Sequence, residues 1–419
     1  MADDIRITDL ARPQLNEAQR QALKWGESNP VELTPAAVLG AAQARTGLED
    51  FGPADFRERL NLLCREWDGD RVLTAMHRAV LFGYLARYAG NRLLIQKTLT
   101  DHPEILEQRI ERPVIVTGLP RSGTTHLVNL LAADARFHSL PLWESYEPVP
   151  LPGEAPLADG TDPRYARCAA VWAGMQQVTP LLASMHPMEP DHIHEELELM
   201  GPDYASYNFE WLSMSPRWRD HYFASDQTPH YRYLKRVLQL LQWQRGVRGR
   251  RWVLKCPQHL EQLAVLMEVF PDATVVFTHR DPVAVLQSTV TMQAYTQRMQ
   301  RPKVEMQWLR DYWIARIERL LRACVRDRAL VPTARSVDCP FHVFMRTPWK
   351  ILEEVYDKAG LPLTPQTRAR LQEYLGAHPR GKAGQVLYDL QGDFGVDPAE
   401  VRERFRFYFD RFAVQQETH

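Results

Sequence analysis

The residues from Val114 to Ala133 constrain the fold more than any other part of the sequence. They read VIVTGLPRSGTTHLVNLLAA: a short apolar run, a turn bracketed by two glycines, and an amphipathic run that begins at two threonines. Backbone N–H groups of such a turn, together with the start of the following helix, point at one place and attract an anion. The sequence therefore predicts a strand, a phosphate-binding loop and a helix; the alternative is an ordinary glycine turn between strand and helix.

This loop lacks the lysine of ATP- and GTP-binding loops. Those loops read GxxxxGK[ST], whereas Gly118 to Thr125 reads GLPRSGTT, with Thr124 in the lysine position. The lysine normally reaches the β- and γ-phosphates, so its absence disfavours the hydrolysis of a triphosphate. Backbone N–H groups, the threonine hydroxyls and the guanidinium of Arg121 can still bind one phosphate.

Short β-branched runs alternate with helical patterns from the loop onward. WVLK precedes HLEQLAVLMEVF, and TVVFTH precedes PVAVLQSTV, a repeat that predicts parallel strands with crossover helices. We expect an α/β protein with a P-loop-like three-layer fold and a central parallel sheet. Residues 1–112 repeat apolar positions at helical spacing and predict an N-terminal helical layer. Residues 113–419 then form the α/β domain, with an acceptor-side insert at 143–245 and helices at its C-terminal end.

Composition narrows the class of protein. The 419 residues are 45% hydrophobic and 25% charged, and their net charge of −1 provides no overall positive field for nucleic acid. The five cysteines have no CxxC spacing, which favours reduced thiols. No apolar run approaches the roughly 20 residues of a membrane span. We expect a soluble, cytoplasmic protein that binds small molecules, and the sequence leaves a homo-oligomer open.

Two more strand ends carry cations. Lys255 ends the predicted buried strand WVLK, where an unpaired ammonium is costly, so we expect it to face an anion. Arg280 ends the strand TVVFTH, and Asp281 is a predicted N-cap for the next helix. Ser288 lies about 9 Å further along that helix. An arginine and a serine placed in this way can hold one phosphate from two sides.

The order and spacing of PRSGTT, LKCPQHL and HRDPVAVLQS resemble the sulfotransferases that use 3′-phosphoadenosine 5′-phosphosulfate (PAPS). Within them, the sequence is most similar to the bacterial branch related to protein-tyrosine sulfotransferases, over about Arg112 to Phe412. The resemblance implies transfer of a sulfuryl group from PAPS to a hydroxyl or amine of a small, partly apolar acceptor. Adenosine 3′,5′-bisphosphate (PAP) is then the second product. We expect no metal ion, because a sulfuryl group carries less charge than a phosphoryl group.

The resemblance also implies which residues bind the donor. In that family the loop binds the 5′-phosphosulfate, while the arginine and serine of the later helix, with a glycine-basic loop near the C-terminal end, bind the 3′-phosphate. These positions are Arg121, Ser122, Gly123, Thr124, Thr125, Arg280, Ser288, Arg380 and Lys382. Animal cytosolic sulfotransferases carry a catalytic lysine inside the loop, in PKSGTTW. Because this chain has none there, Arg121 or Lys255 must supply that charge.

The acceptor needs a base that takes its proton as the bond to sulfur forms. Glu144 resembles the position at which the tyrosine-sulfating relatives carry their base. His186 and the pair Glu195 and Glu196 are alternatives, because they resemble a family pattern of HP followed by two acids. Two rival functions are a P-loop kinase that uses ATP and Mg²⁺ and a nucleotide-binding module without catalysis.

Overall fold

The computed structural model describes residues 4–378 and 384–417. Its first part consists of a short strand and four helices, which begin and end as follows: β1 (Asp4–Arg6), α1 (Glu17–Ser28), α2 (Pro35–Thr46), α3 (Phe56–Gly69) and α4 (Ala75–Asp101). The side chains of Thr34 and Thr74 accept backbone N–H groups at the starts of α2 and α4, so these two helices are capped locally. The predicted N-terminal helical layer is confirmed, whereas β1 was not predicted.

These N-terminal helices share their core with the insert. Trp67 and Tyr88, from α3 and α4, lie in one buried cluster with Tyr204, Phe209 and Trp218 of the insert. The indole of Trp67 also donates a hydrogen bond across the two regions, to the hydroxyl of Ser215 at 2.8 Å. The layer therefore supports the insert directly.

Five parallel strands form the central sheet. They are β2 (Val114–Gly118), β3 (Phe137–His138), β4 (Arg251–Lys255), β5 (Thr274–His279) and β6 (Ser336–Pro340). Their order is β3-β4-β2-β5-β6, and every neighbouring pair is parallel. The register sets Val116 beside Lys255 and Gly118 beside Thr278, so the loop after β2 lies between the ends of β4 and β5. The predicted parallel sheet is confirmed.

The helices that accompany this sheet follow in chain order. The first group is α5 (Thr124–Ala132), α6 (Leu142–Tyr146), α7 (Pro163–Val178), α8 (Leu182–Met185), α9 (Leu197–Met200), α10 (Asn208–Leu212), α11 (Pro216–Ala224) and α12 (Thr228–Arg245). The second group is α13 (Leu263–Val269), α14 (Pro282–Gln300), α15 (Met306–Asp327), α16 (Phe341–Arg346), α17 (Pro348–Ala359), α18 (Pro365–Ala377), α19 (Leu390–Phe394), α20 (Pro398–Arg404) and α21 (Arg406–Phe409).

Helices cover both faces of the sheet. Successive strand residues point to opposite faces, and Ile115 and Leu254 accordingly belong to one core with α12, α14 and α15. Val116 and Val253 belong to a second core with α5, α17 and α18. This arrangement confirms the predicted three-layer fold and explains why the strands read as continuous apolar runs.

Two pairings outside the sheet bring distant segments to its carboxyl edge. Within the insert, the backbone N–H of Leu142 donates to the carbonyl of His192, and Pro141 forms an isolated bridge with Ile193. Near the C-terminal end, β7 (Gln385–Leu387) pairs in parallel with β1. Within residues 4–378 and 384–417, none of the helices combines the length and apolar character that crossing a lipid bilayer requires.

Candidate functional site

The loop after β2 is held tightly by its neighbours. The hydroxyl of Ser122 lies 2.5 Å from the carbonyl of Leu119, to which it donates, and 2.6 Å from the hydroxyl of Thr278 on β5. A Cβ atom on Gly118 would come within 1.9 Å of that same threonine oxygen, so only glycine fits there. The turn is consequently closed against β5, and its far side remains to bind a ligand.

Backbone geometry in the loop favours an anion. Arg121 and Gly123 both have positive φ angles, 68° and 89°, and this conformation costs a non-glycine residue about 1–2 kcal/mol. In the part of the chain that is described, the backbone N–H groups of Gly123, Thr124 and Thr125 have no protein acceptor. Three such groups at the start of α5 have the arrangement that suits a phosphate or sulfate.

Lys255 is buried at the end of β4, directly beside this helix start. Its side chain has no exposed area, and its Nζ donates to the hydroxyl of Thr125 at 3.2 Å and to the carboxylate of Glu195. Burial raises the pKa of the Glu195 carboxyl, and the Lys255 ammonium opposes that rise. The next residue, Glu196, accepts the backbone N–H of Lys255 at 2.8 Å. Two consecutive glutamates therefore hold the side chain and the backbone of this lysine.

Arg280 and Ser288 lie on the other side of the loop. Ser288 accepts a hydrogen bond of 2.9 Å from Nε of Arg121 and donates one of 3.1 Å to the hydroxyl of Tyr388, just after β7. Arg280 donates through Nη1 to the carbonyl of Arg121 at 2.7 Å. It also donates through Nε and Nη2 to the two carboxylate oxygens of Glu417, at 2.7 and 2.8 Å. The loop, Arg280 and Ser288 thus meet at one place.

Asp281 caps α14 as the sequence predicts, since its carboxylate accepts the backbone N–H of Val283 at 2.9 Å. The guanidinium of Arg280 is further fixed by the ring of Phe341, whose centroid lies 4.2 Å away. The same ring would approach a Cβ atom on Gly123 to 3.0 Å. Arg280 and the loop are therefore packed through one aromatic side chain.

Histidines of the insert stand close to these cations. His186 is partly buried after α8, and its ring centroid lies 5.9 Å from that of His194. Burial lowers the pKa of His186 well below its usual value, and the charges of Arg121 and Lys255 lower it further. Its ring nitrogens have no hydrogen-bond partner among the described residues. A neutral imidazole next to Arg121 and Lys255 can accept a proton.

Glu144 is paired with Arg245. It lies on α6 and is buried, and both of its carboxylate oxygens contact the guanidinium of Arg245, one of them at 3.3 Å from Nε. Arg245 also donates to the carbonyl of Ser139 at 2.8 Å and covers the ring of Trp252. This pair joins the end of α12 to the segment after β3.

The structure therefore brings together Arg121, Ser122, Gly123, Thr124, Thr125, Lys255, Arg280, Ser288, His186 and Glu195. Arg380 and Lys382 lie outside the described residues. Tyr388 and Glu417 were not predicted, because nothing in the sequence around them indicates that they return to β5. The described residues contain no group of three His, Cys, Asp or Glu side chains placed to share one metal ion.

Fold and site together define a P-loop-like α/β protein with an anion site at the carboxyl edge of its sheet. The family model described as "Sulfotransferase family" matches residues 113–365, more than half of the chain. This protein belongs to the sulfotransferase family, and it is therefore an enzyme that transfers a sulfuryl group. The predicted family is confirmed, and neither the kinase nor the module without catalysis is favoured.

Individual relatives agree with this assignment. The omega-hydroxy-beta-dihydromenaquinone-9 sulfotransferase Stf3 of Mycobacterium tuberculosis (strain CDC 1551 / Oshkosh) is 26% identical over 347 residues, which are 82% of this chain and 85% of the relative. The crystal structure of the sulfotransferase STF9 from Mycobacterium avium has a TM-score of 0.81 at 27% identity and covers 93% of this chain and 99% of its own. The sulfotransferase STF1 from Mycobacterium tuberculosis H37Rv has a TM-score of 0.76 at 28% identity, covering 89% and 98%. All three resemble this chain over most of its length.

Proposed function

We propose that the sulfuryl donor is PAPS and that it binds across the loop and the start of α14. The N–H groups of Gly123 to Thr125 and the guanidinium of Arg121 bind its 5′-phosphosulfate, while Arg280 and Ser288 bind its 3′-phosphate. Two features of the chain support this proposal. The N–H groups at the start of α5 lack protein acceptors among the described residues, and Arg280 already holds the two oxygens of a carboxylate through Nε and Nη2. Arg380 and Lys382 remain predicted contacts of the 3′-phosphate.

Lys255 supplies the charge that the loop lacks. The observation that carries this assignment is the hydrogen bond from its Nζ to Thr125, in the first turn of α5. As the S–O bond to the 5′-phosphate breaks, the oxygen left on PAP gains negative charge. A buried ammonium beside that oxygen stabilises the transition state more than the ground state. Glu195 is the positioning residue that keeps Lys255 in place.

His186 is the base for the acceptor. Its depressed pKa leaves the imidazole neutral near pH 7, so it can take the acceptor proton while the acceptor oxygen forms its bond to sulfur. Glu195 is less suited to this task because Lys255 occupies its carboxylate. Glu144, the base that the family resemblance favours, is occupied by Arg245 in the same way. Glu195 and Glu144 remain alternative bases, and substitution of each residue distinguishes them from His186.

The acceptor is a hydroxyl on a partly apolar small molecule. Leu182, Met185 and Met188 flank His186 with buried apolar side chains, which suits a hydroxyl carried by an apolar body. The relative named for ω-hydroxy-dihydromenaquinone acts on a hydroxyl of this kind. We further propose that the enzyme acts in the cytoplasm, because all five of its cysteines are unpaired and buried.

Two measurements test the proposed function. Thermal unfolding should shift upward with PAP, less with AMP, and not with ATP and Mg²⁺ beyond the effect of ATP alone. Stabilisation by ATP and Mg²⁺ without any effect of PAP would contradict the donor assignment. Turnover with ³⁵S-labelled PAPS is then screened over alkyl alcohols, prenyl alcohols, sterols, phenols and amines. Transfer restricted to amines would contradict the hydroxyl acceptor.

A further inference from the structure

Glu417 is bound to Arg280, the residue to which the proposed function assigns the 3′-phosphate. Its two carboxylate oxygens accept from Nε and Nη2 of Arg280 at 2.7 and 2.8 Å. Its backbone N–H donates to the carboxylate of Asp281 at 2.8 Å, and its carbonyl accepts from Arg402 at 2.9 Å. Both the side chain and the backbone of Glu417 are thus fixed against the start of α14.

A carboxylate and a phosphate bind to a guanidinium in the same manner, through two parallel N–H···O bonds. Arg280 holds Glu417 with one such fork, formed by Nε and Nη2. Its remaining nitrogen, Nη1, is already used by the carbonyl of Arg121. The fork therefore cannot hold Glu417 and a 3′-phosphate in this geometry at the same time.

Little else holds the segment that carries Glu417. Residues 413, 415 and 416 are exposed, and Val414 is only partly buried against the core. Moving residues 413–417 away from Arg280 consequently exposes little apolar surface. The cost of that movement lies mainly in the ion pair with Arg280 and in the two backbone hydrogen bonds.

We propose that Glu417 is an internal competitor of the donor: residues 413–417 close the 3′-phosphate site, and PAPS binds by displacing the Glu417 carboxylate from Arg280. This inference rests on the proposed function and adds a regulatory contact to the same site. Only molecules with a 3′-phosphate replace the lost ion pair with an equivalent one. The contact therefore lowers the affinity for PAPS and PAP, which must displace Glu417, and leaves unchanged the affinity for nucleotides such as AMP, which lack that group and leave Glu417 in place.

The proposal predicts the direction in which substitution of Glu417 changes the affinity for PAP. Glu417→Gln keeps the size of the side chain and removes its charge, so the open form becomes more populated and PAP should bind about tenfold more tightly. AMP, which does not require displacement, should bind within about twofold of the wild-type value. Glu403→Gln is the matched control, because Glu403 is exposed and, within residues 4–378 and 384–417, pairs only with Arg406 on the surface.

Calorimetric titration of PAP and AMP into the wild type and the two variants makes the test. Equal PAP affinity in the wild type and Glu417→Gln, with PAP still bound, would overturn the inference and leave the proposed donor intact. Absence of PAP binding in every variant would instead overturn the donor assignment itself. In an Arg280→Gln background, Glu417→Gln should give no gain, because the competing contact has already been removed.

Hydrogen exchange gives a second, independent readout. Binding of a ligand usually protects a protein from exchange, yet here the amide of Glu417 loses its acceptor, Asp281, when the segment is displaced. Peptides that cover residues 413–417 should exchange faster with saturating PAP, and their exchange rate should not change with saturating AMP. Slower exchange of this segment with PAP would mean that residues 413–417 close over the donor, and would contradict displacement.

Discussion

Lys255 ends β4 and Arg280 directly follows β5, the two strands on either side of β2, and each cation is paired with a glutamate from far along the chain. Glu195 holds Lys255, and its neighbour Glu196 also binds the backbone of β4, so this partner is anchored to the sheet. Glu417 holds Arg280 from a largely exposed segment. We infer from this difference that the packing of the partner segment decides whether an ion pair at a strand end is permanent or can be exchanged for a ligand.

Burial supports different proposed roles for the two pairs. Lys255 has no exposed area, so removing its partner would leave a buried, uncompensated charge. Arg280 retains 15% exposure of its side chain and can exchange one anion for another without ever being left unpaired. We therefore assign Lys255 to the chemical step and Arg280 to donor recognition.

The largest expected effect comes from Lys255→Met. Removing the ammonium should lower kcat by about a thousandfold, because a donor aimed at the developing charge is lost. PAP affinity, measured by calorimetry, should change much less. Because this variant strands the Glu195 carboxylate, the double variant with Glu195→Gln checks that the loss is not one of folding. The control is Lys235→Met, which alters a half-buried lysine on α12 and should keep wild-type turnover. If Lys255→Met instead keeps kcat within tenfold of wild type, the catalytic charge would have to come from Arg121.

His186→Asn should lower kcat by about 10²- to 10³-fold, since a general base is lost. The pH profile sharpens this prediction. A base loses activity as it protonates below its pKa, and the pKa of His186 is depressed, so wild-type turnover should stay level from about pH 8 down to about pH 6. His102→Asn, at a half-buried histidine that pairs with Glu104, is the control. His186 would be excluded as the base if wild-type turnover fell near pH 6.5, the usual pKa of histidine, or if His186→Asn kept full turnover.

Arg280→Gln should weaken PAP binding by about 30-fold, the effect of losing hydrogen bonds from a charged group. AMP binding and kcat at saturating PAPS should change little, because Arg280 is assigned only to the 3′-phosphate. Arg326→Gln on the exposed face of α15 is the matched control. Equal weakening of PAP and AMP would place Arg280 at the 5′ end of the donor and break the comparison with Lys255.

Glu144→Gln should have the smallest effect on turnover. Its carboxylate is already occupied by Arg245, a third glutamate–cation contact, so we expect kcat within about threefold and a loss of about 1–3 kcal/mol in the free energy of unfolding. Urea unfolding and initial rates measure the two quantities. Arg245→Gln should reproduce the loss of stability. A hundredfold loss of turnover at unchanged stability would indicate that Glu144, and not His186, is the general base.

The amino-acid sequence determined the fold and the donor side of the site. Apolar strands that end at Gly118, Lys255 and His279 are local patterns, and parallel strands carry their carboxyl ends to one edge of the sheet. The N-cap at Asp281 and the glycine turn are likewise set by neighbouring residues. Strands β1 and β7 were not predicted, because three residues are too few to display an alternating pattern.

Only the tertiary structure decided which anion faces each cation. Glu195 and Lys255 are 60 residues apart, and Glu417 and Arg280 are 137 residues apart. Periodicity reports the secondary structure and burial of a side chain, but it carries no information about which distant charge packs against it. The sequence could therefore only name Glu144, His186, Glu195 and Glu196 as possible bases. Packing brought His186 beside Arg121 and Lys255 and joined Glu144 to Arg245, because partners of buried charges are chosen by the fold as a whole.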